Sequence, residues 1–213
     1  MVNVQSLPDD RTARARIRDE ALRLFGNHGP DAVTVRHIAA AAGVSPALVI
    51  RHFGSKDGLR EAVDDHVVRI FELMLSQVSH PRDGGDSFEV GALPTLAEVV
   101  TRVLPPDSAI PAYLGRMLLA GVPAGAALFR RLHVLSRQAL AGLSEAGWAA
   151  RGTDPEVRAA FLLVNDLAVV ILRTHLADVL GVDPLSVPGL RRWGAEVLSI
   201  YQNGLKGIPG EEA

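Results

Sequence analysis

Thr34-Val35-Arg36-His37-Ile38-Ala39-Ala40-Ala41-Ala42-Gly43-Val44-Ser45-Pro46-Ala47-Leu48-Val49-Ile50-Arg51-His52-Phe53-Gly54-Ser55-Lys56 is the stretch on which the fold turns. Thr34 is suited to cap a helix whose buried side is Ile38, Ala39 and Ala42, and Gly43 supplies the left-handed residue that ends it. Val44 plugs the corner. Ser45 caps the next helix, and Pro46 occupies its first position, where no amide hydrogen is needed. Val49 and Phe53 stand four apart on one apolar face, which leaves Ala47, Leu48, Arg51 and His52 pointing outward. Gly54 stops this helix, and Ser55 opens a third with Lys56 in its first turn. The spacing predicts a helix-turn-helix.

That arrangement brings a helix N-terminus and a few side chains to a DNA major groove, with basic groups left for phosphates. Lysine at a helix N-terminus is electrostatically unfavourable unless an anion lies close, and a DNA phosphate would be such an anion. Ahead of the unit, Ile17, Ala21, Leu24 and Phe25 recur at helical spacing among Arg11, Arg14, Arg16, Arg18 and Arg23. From Asp10 to Arg60 there are nine Lys/Arg against five Asp/Glu, whereas the remainder has 13 against 19. A chain of net charge −2 therefore carries a basic N-terminal quarter, as expected of a nucleic-acid-binding end joined to a part with another task. Solvated helix faces alone would account for the arginines, but not for the turn.

Phe25, Gly29, Thr34-Val35-Arg36, Ile38-Ala39, Ala42-Gly43-Val44-Ser45, His52-Phe53, Ser55-Lys56 and Leu59 form a fixed-spacing string. By it the first sixty or so residues resemble the DNA-binding domain of TetR-family transcriptional regulators. The resemblance implies an all-α homodimer: a three-helix DNA-binding domain over residues 1–60, then a larger helical effector-binding and dimerisation domain over 61–213. It implies a ligand-responsive regulator, most simply a repressor, that binds double-stranded operator DNA and is released by a small molecule. Carried over by position, Thr34, His52 and Lys56 would meet phosphates, while Ser45, Ala47, Leu48 and Arg51 would face base edges or adjacent backbone. Arg36 joins this set of candidate contacts. Two positions depart from the family pattern: Ala47 stands where glycine is frequent, and Ile50 where tyrosine is usual. Lacking a hydroxyl, Ile50 would pack on sugar or a thymine methyl. Arg51 is the candidate for a bidentate guanine contact, with simple phosphate pairing as the alternative.

With 213 residues, 48% of them hydrophobic, the chain can build two helical parts. It has no cysteine, which excludes disulfides, thiol redox switches and thiolate metal sites. Its first ten residues lack the apolar core of a signal peptide, so a cytoplasmic protein is expected. The apolar run from Ala159 to Leu172 is interrupted by Asn165-Asp166 and is too short to cross a bilayer, so no membrane segment is expected. Helices are predicted over 55–79, near 94–103, and over 109–120, 123–149, 154–180 and 188–206, with a loop from His80 to Ala92. The 154–180 segment is apolar on nearly all sides, as suits a helix that meets both its own core and a partner.

In the family the last two helices pair with their symmetry mates in a four-helix bundle. The candidate dimer residues are Asp166, Val170, Arg173, Trp193, Val197 and Tyr201. Asp166 and Arg173 lie seven residues apart, roughly 10 Å along a helix, so they would bridge across a two-fold or simply face solvent. Met74, Tyr113, Met117, Phe129, His133, Trp148, Phe161 and Asn165 are the candidate lining of an effector pocket, with ordinary packing as the alternative for each. No catalytic residue, cofactor or metal is expected. Gly142–Gly147 has the wrong glycine spacing for a nucleophile elbow, and Asp64-Asp65-His66 would point three ways on a helix. The competing function is a helical interaction protein whose helix-turn-helix has no operator specificity.

Overall fold

The computed structural model describes residues 8–79, 100, 103–147, 149–150 and 152–203, and every regular element among them is helical. The helices are α1 (Pro8–His28), α2 (Val35–Ala41), α3 (Pro46–Phe53), α4 (Lys56–Ser79), α5 (Ile110–Leu119), α6 (Pro123–Glu145), α7 (Pro155–Ile171), α8 (Arg173–Leu180) and α9 (Val187–Asn203). The helix predicted near 94–103 and the loop from His80 to Ala92 lie outside the described residues. Packing divides the chain into one unit of Met1–Phe71 with Ser108–Leu132 and another of Glu72–Asp107 with His133–Ala213. This boundary is one of contact, whereas the division expected after residue 60 is one of task.

The first unit is built around fully buried Ile17, Phe25, Ile38, Val49, Leu59, Val63, Tyr113 and Leu114. α5 docks on α1. Gly26 makes the approach possible: a Cβ there would come within 3.1 Å of the Tyr113 backbone nitrogen and 3.3 Å of the Ala109 carbonyl oxygen. Arg116 closes the contact by donating from Nε to the Gly26 carbonyl and from Nη2 to that of Asn27, both at 3.0 Å, which satisfies open acceptors at the end of α1. One carboxylate lies inside this unit. Asp64 accepts from the Tyr113 hydroxyl at 2.7 Å and from Arg60 Nη1 at 2.7 Å. Burial raises the Asp64 carboxyl above its ordinary pKa against the opposing pull of Tyr113 and Arg60. Asp65 instead meets Arg131 at 2.7 Å, so consecutive acidic residues on α4 serve different partners.

In the second unit, Leu104, Leu140, Ala159, Leu163, Leu167, Val169 and Val170 form the core. Asp154 caps α7 as its sequence suggests, accepting from the Glu156 and Val157 amides at 3.1 Å each. The predicted single helix over 154–180 is corrected: it breaks at Leu172 (φ −94°, ψ 13°), and α7 and α8 are bent by 76°. No proline or glycine marks the break. The guanidinium of Arg173, the first residue of α8, binds Asp183 through Nε and Nη2 at 2.9 and 2.6 Å. Its Nη1 reaches the carbonyls of Leu104 and Pro105 at 3.1 and 3.0 Å. These contacts come from distant parts of the chain, so periodicity within 154–180 carries no sign of them.

The arginine holds the Asp183 carboxyl below its ordinary pKa. Because the folded value is lowered, the stability this contributes is present above the unfolded carboxylate range and is lost as pH falls through the folded value. Asp183→Asn should lower unfolding free energy at neutral pH by about 2 kcal/mol, the scale of hydrogen bonds to a charged group. The gap to the parent should narrow as the pH falls below the carboxylate range, as read from urea unfolding across pH.

Candidate nucleic-acid interface

Local chemistry builds the reading element. Thr34 and His37 form a reciprocal cap at the start of α2: the His37 amide donates to Thr34 Oγ1 at 3.2 Å, and the Thr34 amide donates to His37 Nδ1 at 3.4 Å. At the other end, the Val44 amide reaches the Ala39 carbonyl at 2.9 Å and the Gly43 amide that of Ala40 at 3.2 Å, with Gly43 at φ +65°. That pair of bonds is a Schellman closure, and it fixes where the chain leaves α2. Ser45 then caps α3 by accepting from the Leu48 amide at 3.2 Å, with Pro46 in the first position. Gly54 ends α3 at φ +74°.

The turn decides which face of α3 is buried. Val49 is fully buried, which stabilises the docked helix by about 1.5–3 kcal/mol. Ala47 and Arg51 are exposed, as is Ile50, while Leu48, His52 and Phe53 are half-buried. Thr34, Arg36 and Ser45 are also exposed, so the candidate DNA contacts from α2 and α3 reach the surface of their unit. Arg14, from α1, lies over the Phe53 ring with its guanidinium carbon 5.3 Å from the centroid. Sequence reasoning grouped Arg14 with its neighbours as bulk positive charge, because a ring contact from α1 to α3 has no signature in local spacing.

Lys56 differs from its expected surroundings. Its ammonium is half-buried and donates to the carbonyls of Pro30 at 3.0 Å and Val33 at 3.3 Å. Two carbonyl oxygens from the loop before α2 thus supply the negative partner that the helix-dipole argument assigned to a phosphate. Ser55 caps α4 as expected, accepting from the Gly58 amide at 3.0 Å.

The candidate effector residues divide between the two units: Tyr113, Met117 and Phe129 belong to the first, and Met74, His133, Phe161 and Asn165 to the second. Tyr113 and Met117 are core residues of the first unit, and the Tyr113 hydroxyl is committed to Asp64. Phe161 is 63% exposed on a face of α7 with Val157 and Val164, which are also exposed, and it borders a shallow depression with Thr153, Asp154, Val157 and Arg158. His133 is half-buried, with its Nε2 3.2 Å from the Glu156 carbonyl oxygen. Met74 and Asn165 are half-buried, and Trp148 lies outside the described residues. A cavity of about 490 Å³ opens beside Leu118, Val122, Pro123, Ala126, Phe129 and Arg130, and Phe129 is the one predicted lining residue it contains.

Two dimer candidates are corrected. Val170 is buried in the core of its own unit, and Arg173 spends its donors on Asp183 and two carbonyls of the same chain. Asp166 is exposed on α7. Trp193 and Val197 are half-buried on α9, and the Tyr201 side chain lies outside the described residues.

Comparison with known proteins agrees with this architecture. The profile of the family described as "Bacterial regulatory proteins, tetR family" matches residues 17–63, which run from within α1 into α4. The HTH-type transcriptional regulatory protein RaaS of Mycobacterium tuberculosis is 37% identical over 156 residues, covering 73% of this chain and 68% of that protein. An HTH-type transcriptional regulator of Mycobacterium bovis is 34% identical over 112 residues, 52% of this chain and 49% of its own length. Among solved structures, SmeT, the repressor of the Stenotrophomonas maltophilia multidrug efflux pump SmeDEF, superposes with a TM-score of 0.60 at 25% identity, covering 95% of this chain and 96% of that one. SmeT has also been solved as a complex with triclosan, which matches at 23% identity and a TM-score of 0.59. The exposed recognition helix, the glycine turn before it and this set of relatives converge: the chain is a transcriptional regulator of the TetR family.

Proposed function

We propose that the chain represses transcription as a homodimer on double-stranded operator DNA and releases it when a small lipophilic effector binds its helical part. The division of task falls after residue 60, with DNA contact before it and effector binding and dimerisation after it. The observation that carries the DNA reading is α3 itself: Val49 faces inward while Ala47, Ile50 and Arg51 stay open to solvent. Arg51 reads a guanine edge, Ile50 lies against sugar or a thymine methyl, and Thr34, Arg36, Ser45 and His52 hold the backbone. Leu48, half-buried, lines the edge of the same face. Lys56 tightens the loop before α2 and offers its remaining N–H to a phosphate, since an ammonium has three donors and two are used within the chain.

The dimer reading rests on an apolar surface. Val157, Phe161 and Val164 fall on one face of α7 and are 63%, 63% and 54% exposed in the single chain. A contiguous exposed stripe of that kind marks an interaction surface. With Trp193 and Val197 of α9, and with Asp166 and Tyr201, it supports a bundle formed by α7 and α9 of two protomers. The effector reading rests on Met74, Phe129, His133 and Asn165 as half-buried candidates, and on SmeT having been solved with triclosan. No single helix among the described residues is long and apolar enough to cross a membrane, which fits the proposed cytoplasmic location.

Operator selection from a random duplex pool, followed by affinity measurement on single-base variants, tests the reading head. Arg51→Ala should flatten preference at one base pair per half-site, a loss of roughly 1–3 kcal/mol of discrimination. Uniform weakening across all variants would assign Arg51 to phosphate instead. Lys56→Met should lower folding stability by about 1–2 kcal/mol in denaturant titration, because the part-buried carbonyls of Pro30 and Val33 lose the ammonium's hydrogen bonds. Phe161→Asp should shift the protein from dimer to monomer in sedimentation equilibrium while leaving its helical circular dichroism intact. A dimer that persists would move the interface elsewhere.

A further inference from the structure

We infer that Arg14 is a DNA-phosphate contact, set in place by the recognition helix itself through the Phe53 ring. The arginines of α1 divide by partner. Arg18 pairs with Asp19 at 2.6 Å and Arg23 with Glu20 at 2.8 Å, so those charges are neutralised along their own helix. Arg14 is exposed and meets no carboxylate among the described residues; its contact is the face of Phe53, at 5.3 Å.

Phe53 is the last residue of α3, next in sequence to His52, and the two rings lie 6.1 Å apart at 60°. Behind Arg14, Ala13 and Ile17 are buried and anchor α1 to its unit. The cation is therefore carried by one helix and lies over a ring at the end of another, beside the histidine assigned to the DNA backbone.

A guanidinium held over an aromatic face by a cation–π contact, which uses none of its N–H groups as hydrogen bonds to a carboxylate, still has donors to offer. Those donors match the oxygens of a phosphate, and the ring contact limits rotamer freedom before binding rather than during it. A pre-positioned planar cation with no carboxylate partner among the described residues, at the C-terminal end of a reading helix, is complementary to the sugar–phosphate backbone that flanks the groove. It carries no information about base sequence. The contribution expected of Arg14 is thus affinity and register, distinct from the discrimination assigned to Arg51.

This inference rests on the DNA-binding reading above, and the salt dependence of binding separates the two. Each phosphate contact adds about 0.9 to the slope of log affinity against log salt. Full-length protein would be titrated over a range of KCl concentrations against a duplex it selects from a random pool and against an unrelated mixed-sequence duplex. Arg14→Ala should weaken both duplexes by the same factor and flatten the slope by about 0.9 per bound protomer. Arg14→Gln, which keeps length and hydrogen bonding without charge, should do the same, and it serves if the alanine variant fails to fold. Arg14→Lys should keep the slope, because a cation remains, while losing affinity through the missing planar fork. A parent-like slope in both neutral variants would overturn the inference and leave Arg14 as packing on Phe53. Failure of the parent protein to bind either duplex at low salt would overturn the DNA-binding reading and this inference with it.

Discussion

The structure of the reading head depends on one left-handed residue. Gly43 at φ +65° allows the amides of Gly43 and Val44 to turn back onto the carbonyls of Ala40 and Ala39, and so α2 ends where Ser45 can begin α3. An L-residue with a side chain pays roughly 1–2 kcal/mol to adopt that conformation. Nothing lies within 4 Å of where a Cβ would stand on Gly43, so the requirement is one of backbone conformation and not of space. Once the turn is set, the register of α3 follows. Val49 points into the core, and the residues on the opposite side are presented outward together as a rigid set.

Polar atoms do the fastening around this element. Lys56 draws the loop carbonyls of Pro30 and Val33 to the start of α4, and Arg116 covers the open carbonyls at the end of α1. Asp64 sits buried between Tyr113 and Arg60. Each is a charged group whose desolvation is offset by specific partners, and an apolar replacement would leave those partners unsatisfied. The α1–α5 contact is thus defined by geometry as well as by area, since Gly26 admits α5 only where its backbone can pass. A regulator that must hold a recognition helix in a fixed pose benefits from such directional contacts, because apolar packing alone tolerates small slips.

Much of this was legible residue by residue. The caps at Thr34, Ser45, Ser55 and Asp154, the glycine stops at Gly43 and Gly54, and the buried positions Ile38, Ala39, Ala42 and Val49 all follow from rules that act within four or five residues. The misreadings share a different cause. The break at Leu172, the commitment of Arg173 to Asp183 and the two carbonyls that hold Lys56 join residues between 10 and 69 positions apart. A helical pattern in 154–180 says that apolar residues recur, and it gives equal support to one straight helix or to two that meet at an angle. Likewise Val170 and Phe161 are both apolar residues of one buried-looking segment, yet one is core and the other is open to solvent.

The sequence by itself determined the helical class, the position of the turn, the family and the outward placement of Ala47 and Arg51 on α3, because capping, glycine conformation and four-residue periodicity are local and short-ranged; that Leu48 and His52 are half-buried and Ile50 exposed came from packing. Tertiary structure alone decided which cations are already spent and which apolar faces remain uncovered. Arg116, Lys56 and Arg173 hold backbone oxygens within the chain, whereas Arg14 lies over an aromatic ring and meets no carboxylate among the described residues. A charge in a sequence has no partner until the chain folds back on itself, and a partner a few ångströms away in space leaves no trace in the spacing of residues along the chain.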